Sequence, residues 1–300
     1  MFMLLRLLWE NLREYDKKYK DERSENYFLL TTLQFFFMLI AYYAFVKHIG
    51  PKIMEKRKAF DLKYVLLAYN AAQVLVNGGM FISCIYIIWL YKPYDRLSCM
   101  MPDRRRTEFG MLELKFAYGY YLLKIVDFAD TVFFVLRKRQ HQVSFLHVYH
   151  HILMACGLFF SVRYLTGGHG ASLVIVNLAV HTIMYFYYFI SALRPELKHS
   201  MWWKKHITQV QIAQFLVLLL HFTHALLDME CEFPKWALGL ASFQTLVMLV
   251  LFSDFYYKAY LRPNKRKLVS QANVEQVSEH KEEDFSAEQL AVAESKKNTN

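Results

Sequence analysis

The stretch that decides the fold is residues 64–91, which read YVLLAYNAAQVLVNGGMFISCIYIIWLY. These 28 residues contain no Asp, Glu, Lys or Arg, and a helix needs about 20 apolar residues to cross the hydrocarbon core of a bilayer. Residues 164–193 form a second uncharged run, of 30 residues. Because 55% of the 300 residues are hydrophobic and only 10 are Gly, the composition excludes a soluble or disordered chain. It predicts a polytopic membrane protein.

Apolar runs between charged clusters predict an all-α protein with seven membrane-spanning helices. A backbone in lipid must satisfy its own hydrogen bonds, and runs of this length favour helices over the short alternating segments of a β-barrel. The third run is the least regular because Lys124, Asp127 and Asp130 interrupt it. The first run has no small-residue cleavage site, so we interpret it as a retained span. The predicted spans are residues 27–46, 64–91, 116–136, 142–162, 170–193, 207–227 and 236–257.

Lys and Arg are distributed unequally between the two faces that seven spans define. The face that holds the C-terminus carries 21 of them and the opposite face carries 14, which predicts a cytosolic C-terminus and a lumenal N-terminus. Residues 1–26 are then a lumenal segment, residues 27–260 the membrane domain and residues 261–300 a basic, then acidic, disordered tail. Orientation signals, lipid headgroups or a phosphorylated substrate explain the net charge of +10 without nucleic acid, for which no motif is present.

Two of the four cysteines, Cys99 and Cys231, fall in loops on the predicted non-cytosolic face. An oxidising lumen would permit a disulfide between them. Two free thiols are the alternative, and the spacing leaves both open. Cys84 and Cys156 fall inside spans.

Polar and ionisable side chains cluster in spans three to six. Such groups are costly at bilayer depth and mark a site or a water-filled cavity. In each span they recur at helical spacing, which places them on one face, so four stripes facing inward would line one chamber. The stripes are Lys124, Asp127, Asp130 and Thr131; His147, His150 and His151; Asn177, His181, Met184, Tyr185 and Tyr188; and Thr208, Gln211 and Gln214.

The predicted orientation gives the histidine cluster a depth. If residues 137–141 are cytosolic, residues 147–151 lie about 8 to 14 Å inside the membrane at 1.5 Å per residue. The chamber would open to the cytosol, where cations suit phosphate groups; membrane anchoring is the alternative role for each cation. These cations are Arg137, Lys138, Arg139, Lys204, Lys205, Lys265, Arg266 and Lys267.

Three chemistries fit a histidine cluster of this kind. Iron or zinc could bind histidines at i, i+3 and i+4, as in an iron-dependent lipid desaturase or oxidase, but no second histidine box completes such a set, so we expect no metal. A proton relay in a lipid or ion transporter would not explain the cations at the cytosolic opening of the chamber. A neutral imidazole can act as nucleophile and base toward a thioester, with Asn177 and glutamine side chains donating to the oxyanion.

Four motifs follow one another along the membrane domain: KIVDFADTVFFVLRK at 124–138, HVYHH at 147–151, NLAVHTIMYFYY at 177–188 and TQVQIAQF at 208–215. Together they resemble the very-long-chain fatty acid elongase family, over nearly all of residues 27–260. The family usually has Glu where this chain has Asp127. The resemblance implies residence in the endoplasmic reticulum membrane and a barrel of spans two to seven around a long tunnel, with span one outside.

The resemblance also implies a condensing enzyme. Acyl-CoA and malonyl-CoA would give 3-oxoacyl-CoA, CO2 and CoA, the first step of each two-carbon elongation. No cofactor is implied beyond these two substrates, and the partners would be the bilayer and the other enzymes of the cycle.

Our mechanistic hypothesis is a ping-pong reaction in which His150 attacks the acyl thioester to give an acyl-imidazole. The alternative is direct condensation with His150 only as base. His181 would be the partner that positions or deprotonates a reacting group, and His147 and His151 would orient the neighbouring imidazoles. Asp127 and Asp130 would hold imidazole tautomers. The candidate contacts to CoA and the thioester are Lys124, Arg137, Arg139, Gln142, Asn177, Tyr187, Lys204, Thr208, Gln211 and Arg266.

Overall fold

The computed structural model describes residues 2–194, 196 and 201–262, and the regular elements in this part of the chain are helices. The all-helical class is therefore confirmed. The α-helices are α1 (Phe2–Tyr19), α2 (Thr32–Ala44), α3 (Gly50–Glu55), α4 (Lys63–Tyr91), α5 (Glu108–Val126), α6 (Phe128–Leu136), α7 (Phe145–Tyr164), α8 (His169–Leu193), α9 (Met201–Leu227) and α10 (Lys235–Tyr256).

Six helical stretches of the described residues are long and apolar enough to cross a membrane. The predicted third span is not among them, so the count of seven is not confirmed. Residues 116–136 are divided between α5 and α6 at Asp127, and the charges of this run lower its hydropathy. The six stretches are Thr32–Glu55, Lys63–Tyr91, Phe145–Tyr164, His169–Leu193, Met201–Leu227 and Lys235–Leu261.

Hydroxyl side chains cap α5 and α7, two of the helices that carry the predicted motifs. The Ser144 hydroxyl accepts a hydrogen bond from the backbone N–H of His147 at 3.2 Å, and the Thr107 hydroxyl accepts one from Gly110 at 3.0 Å. Each cap satisfies an N–H group that the first turn of a helix leaves free. The Ser144 cap therefore sets where α7 begins, and with it the direction in which its three histidines project.

The buried face of α4 is polar, and its exposed face is apolar. Its buried side chains include Asn70, Gln73 and Asn77, whereas Leu75 is 74% exposed and Trp89 is 67% exposed. This is the reverse of the pattern in a soluble protein. It fits a helix that faces lipid on one side and a polar interior on the other.

Within residues 1–253, neighbouring helices make a closed series of contacts. Helix α4 packs along α8, α8 packs on α9, and α5 packs on α7. Side-chain contacts join α7 to α10, α9 to α10 and α4 to the α5–α6 junction. The predicted tunnel stays a prediction. The joining contacts are Tyr149 to Gln244 at 2.7 Å, the Phe215 and Phe252 rings at 5.0 Å between centroids, and Gln73 to Asp127 at 2.7 Å.

A disulfide joins the loop after α4 to the loop after α9. Cys99 and Cys231 are bonded, with their Cα atoms 5.3 Å apart, while Cys84 and Cys156 are free thiols. Of the two alternatives that the sequence left open, the structure has the bonded pair.

Candidate active site

A buried lysine connects a carboxylate to an imidazole where α5, α6 and α8 meet. Lys124 Nζ lies 3.0 Å from Asp127 Oδ2 and 3.0 Å from His181 Nδ1. Lys124 belongs to the last turn of α5, and Asp127 occupies the break before α6. Each of the three residues is less than a tenth exposed, so water does not screen the interactions between them.

The lysine determines which nitrogen of His181 carries the proton. Asp127 Oδ2 and His181 Nδ1 are 3.7 Å apart, which is too far for a hydrogen bond. A lysine ammonium beside a carboxylate has three N–H donors and no acceptor, so His181 Nδ1 must accept from Lys124. A neutral His181 then carries its proton on Nε2 and can donate a hydrogen bond from that atom.

The three histidines of α7 have different surroundings. The His147 ring is held by a hydrogen bond between Nε2 and Thr131 Oγ1 at 2.9 Å. His151 is buried and lies between the other two, with ring centroids 4.4 Å from His147 and 5.8 Å from His150. No described residue makes a hydrogen bond to the His150 ring, which faces His181 at 6.4 Å with 27° between the ring planes. The His151 ring also lacks such a hydrogen bond among the described residues, so His150 is distinguished by the ring of His181 that it faces.

Two tyrosines hold polar groups beside this pair. Tyr120 OH donates to Asn177 Oδ1 at 2.6 Å, which leaves the amide hydrogens of Asn177 as donors. Tyr185 OH donates to Asp130 Oδ2 at 2.6 Å. Among the described residues Asp130 therefore holds a tyrosine, where the sequence predicted an imidazole partner.

The comparison with known proteins identifies the family of this chain. Residues 28–268 match the model of the GNS1/SUR4 family. The chain belongs to the GNS1/SUR4 family. The family resemblance that the four motifs indicated is thus confirmed.

Curated proteins named as elongases resemble this GNS1/SUR4 chain over most of its length. Very long chain fatty acid elongase F of Drosophila melanogaster is 38% identical over 240 residues, which are 78% of this chain and 91% of the relative. Very long chain fatty acid elongase 7 of Rattus norvegicus is 35% identical, over 84% of this chain and 90% of the relative. Very long chain fatty acid elongase 4 of Homo sapiens is 33% identical, over 82% and 78%.

The predicted contacts to CoA are not part of this buried network. Lys124 is 2% exposed and paired with Asp127, so its ammonium is not free for a phosphate. Arg137 is half-buried, and Arg139 and Gln142 are exposed, between α6 and α7.

Helices α8 and α9 carry the remaining predicted contacts. Thr208 Oγ1 donates to the carbonyl oxygen of Lys204 at 2.9 Å, and Gln211 Nε2 lies 3.5 Å from the sulfur of Met184. Tyr187 is buried, whereas Tyr188 of the predicted stripe is 43% exposed. Lys265, Arg266 and Lys267 lie outside the described residues.

Sequence reasoning did not find the contribution of α4 to the candidate site. Gln73 Nε2 donates to Asp127 Oδ1 at 2.7 Å and to Tyr69 OH at 2.9 Å, and Asn77 Nδ2 donates to Gln73 Oε1 at 2.9 Å. The signal was present, because Asn70, Gln73 and Asn77 stand at helical spacing inside an uncharged run. These amides carry no charge, so they are a weaker sign of a site than the charged residues of the third span.

Proposed function

We propose that this GNS1/SUR4 chain is a condensing enzyme of very-long-chain fatty acid elongation. It would join a long-chain acyl-CoA to malonyl-CoA and release 3-oxoacyl-CoA, CO2 and CoA. The names of its relatives support elongation. The observation that carries the proposal is the pairing of His150, which no described residue hydrogen-bonds, with His181, whose Nδ1 accepts from Lys124.

In the first half-reaction, an unprotonated nitrogen of His150 attacks the carbonyl carbon of the acyl thioester. The carbon–nitrogen bond forms and the carbon–sulfur bond breaks. The thiolate of CoA takes the proton that the imidazolium loses, which leaves an acyl-imidazole on His150 and free CoA.

Negative charge develops on the carbonyl oxygen during this attack, and two donors are available near it. His181 carries its proton on Nε2, and Asn177 has amide hydrogens that its bond to Tyr120 does not use. Donors that are fixed before the reaction stabilise an oxyanion without reorganising. The His150 and His181 ring centroids are 6.4 Å apart, which brings the proposed nucleophile and the proposed donor to one site.

In the second half-reaction, malonyl-CoA loses CO2 and its enolate carbon attacks the acyl carbon. The bond to His150 breaks, and the imidazole regains one proton from solvent. The products are 3-oxoacyl-CoA and free His150. In the direct alternative His150 acts only as base, and no acyl-enzyme forms.

The surroundings of the site support a membrane setting for this chemistry. Arg137, Arg139 and Lys204 would bind the phosphates of CoA as it enters from the cytosol, and the apolar lumenal half of the interior would hold the acyl chain. The Cys99–Cys231 disulfide supports an oxidising lumen on the opposite side. We propose that the protein lies in the endoplasmic reticulum membrane with a lumenal N-terminus and a cytosolic C-terminus, beside the other enzymes of the elongation cycle.

The experiment gives purified protein a series of acyl-CoAs with isotopically labelled malonyl-CoA and no reductant, and identifies the products by mass. We expect a 3-oxoacyl-CoA two carbons longer than the substrate. With acyl-CoA alone, we expect release of CoA and an intact protein mass increased by one acyl group. His150→Ala should show neither, whereas His206→Ala, which changes an exposed histidine on α9, should show both.

The other possible outcomes of this experiment would each contradict part of the proposal. An extended product without an acyl-enzyme would favour the direct reaction. No extended product from any chain length would contradict condensation and favour a lipid transporter. Stoichiometric iron in active protein would favour a desaturase or oxidase.

A further inference from the structure

Two amide side chains on α4 form a chain of hydrogen bonds that ends at Asp127. Gln73 donates to Asp127 Oδ1 at 2.7 Å, and Asn77 donates to Gln73 Oε1 at 2.9 Å. Gln73 is 2% exposed and Asn77 is fully buried. Buried amides in a membrane helix are costly unless they are hydrogen-bonded, so their arrangement around Asp127 needs a reason.

The charge of Asp127 orients the whole chain of amides. A carboxylate only accepts hydrogen bonds, so Gln73 must present its NH2 group to Asp127 and its oxygen to Asn77. Asn77 must then present its own NH2 group to Gln73, and its Oδ1 has no partner among the described residues. The orientation thus satisfies Asp127 and leaves an acceptor on α4 unsatisfied.

The two oxygens of Asp127 have separate donors. Oδ1 accepts from Gln73, and Oδ2 accepts from Lys124, which also donates to His181 Nδ1. Without Gln73, Lys124 would be the only described side-chain donor left for both oxygens. The carboxylate would then turn toward Lys124 and draw the ammonium away from His181.

We infer that Gln73 is a positioning residue of the active site, which holds Asp127 so that Lys124 donates to His181 and keeps the His181 proton on Nε2. A carboxylate in direct contact with His181 would produce the opposite tautomer, because it would accept from an Nδ1–H group and leave Nε2 without a proton. The catalytic consequence rests on the proposed function, whereas the tautomer does not depend on it.

Gln73→Met tests the inference, because methionine has nearly the same length and no donor. We expect kcat for condensation to fall about 10- to 100-fold, in the range seen when the support of a catalytic group is removed. The KM for acyl-CoA should stay within about threefold, since Gln73 does not contact the substrate.

The tautomer of His181 gives a readout that a merely structural role would not change. Nitrogen-15 NMR of protein labelled at histidine distinguishes Nδ1–H from Nε2–H, and His181→Gln identifies the signal. We expect Nε2–H in the wild type and a mixture of tautomers in Gln73→Met. Thr182→Val is the matched control, because Thr182 follows His181 in sequence and its hydroxyl donates to Leu178 O at 2.7 Å; both kcat and tautomer should be unchanged.

Gln73→Glu covers the case in which the methionine variant does not fold. Its new carboxyl would face Asp127, Lys124 and Tyr69 and would donate to Asp127 only while protonated, so kcat should fall with rising pH more steeply than in the wild type. A pH profile parallel to the wild type would contradict the inference.

The experiments distinguish a failure of the positioning role of Gln73 from a failure of the proposed function. Normal kcat and an unchanged tautomer in Gln73→Met would overturn the positioning role, even if the wild type elongates acyl-CoA. A wild type that makes no extended product, with a tautomer that still depends on Gln73, would overturn the proposed function and leave the positioning role intact.

Discussion

The Lys124–Asp127 ion pair is nearly inaccessible to solvent, and two buried charges do not stabilise a fold unless their other hydrogen-bonding positions are used. Here Asp127 also accepts from Gln73, and Lys124 also donates to His181. Replacing such a pair with apolar residues is often neutral for stability. Its use in this protein is therefore best sought in the state of His181.

Glu113 is a half-buried carboxyl, and it lies on α5 outside the predicted spans. Burial raises its pKa from the ordinary value of 4.5 to about 7, against the lowering effect of hydrogen bonds from Tyr94 OH and the backbone N–H of Asp103. The folded protein therefore binds this proton more tightly than the unfolded chain. The resulting stabilisation is complete below pH 4.5 and is lost as the pH rises through about 7.

We expect the Tm in detergent to fall between about pH 5 and about pH 8, and Glu113→Gln to flatten this part of the profile. Asp103 does not interfere, because the hydrogen bond from Arg105 and the other bonds to its carboxylate lower its pKa to about 2 despite burial. An equally steep profile in Glu113→Gln would show that another group titrates in this range.

The short connection between α7 and α8 depends on two glycines. Gly167 and Gly168 have φ angles of +85° and +58°, which side-chain-bearing residues rarely adopt. A Cβ on Gly167 would also lie 2.0 Å from the carboxyl carbon of Glu113. The connection therefore combines a left-handed backbone with close packing against α5.

Gly167→Ala should destabilise the protein by at least about 2 kcal/mol, because the backbone strain adds to the clash. Gly157→Ala on α7 is the control, since a Cβ there meets nothing within 4 Å; it should be neutral or stabilise by up to about 1 kcal/mol. Thermal unfolding in detergent measures both. Similar Tm values for the two variants would contradict this account of Gly167.

The whole molecule is constrained by a disulfide that closes a long loop. Cys99 and Cys231 are 132 residues apart in sequence, and the loop between them contains α5 to α9. Cross-linking such distant residues restricts the unfolded chain strongly.

Cys99→Ser combined with Cys231→Ser should lower stability by about 2–5 kcal/mol. The Tm of this double variant should therefore be lower than that of the wild type. Reductant should lower the wild-type Tm to a similar value and leave the Tm of the variant unchanged. Cys84→Ala combined with Cys156→Ala, which removes the free thiols, should keep the response to reductant. A wild-type Tm that reductant does not change would count against a stabilising role for the bond.

Local pattern was sufficient for the class of protein and for naming most residues of the candidate site. Uncharged runs of 28 and 30 residues exceed the thickness of a bilayer core whatever their neighbours are, and helical spacing puts Lys124 and Asp127 on one side of the chain. His150 and His181 belong to the motifs that indicated the family. These features are encoded within single segments, so no knowledge of packing was needed.

The remaining features of the fold and of the candidate site depend on packing between segments that are distant in sequence. The break at Asp127 replaces the predicted third span with two helices, and the loops that carry Cys99 and Cys231 approach closely enough to bond. Gln73, Asp127 and His181 are separated by 54 residues at each step, and none of them specifies its partner. Whether the His181 nitrogen meets the Lys124 donor or the Asp127 acceptor depends on a difference of less than 1 Å between the two contacts, and such a difference arises only when α4, α5 and α8 pack together.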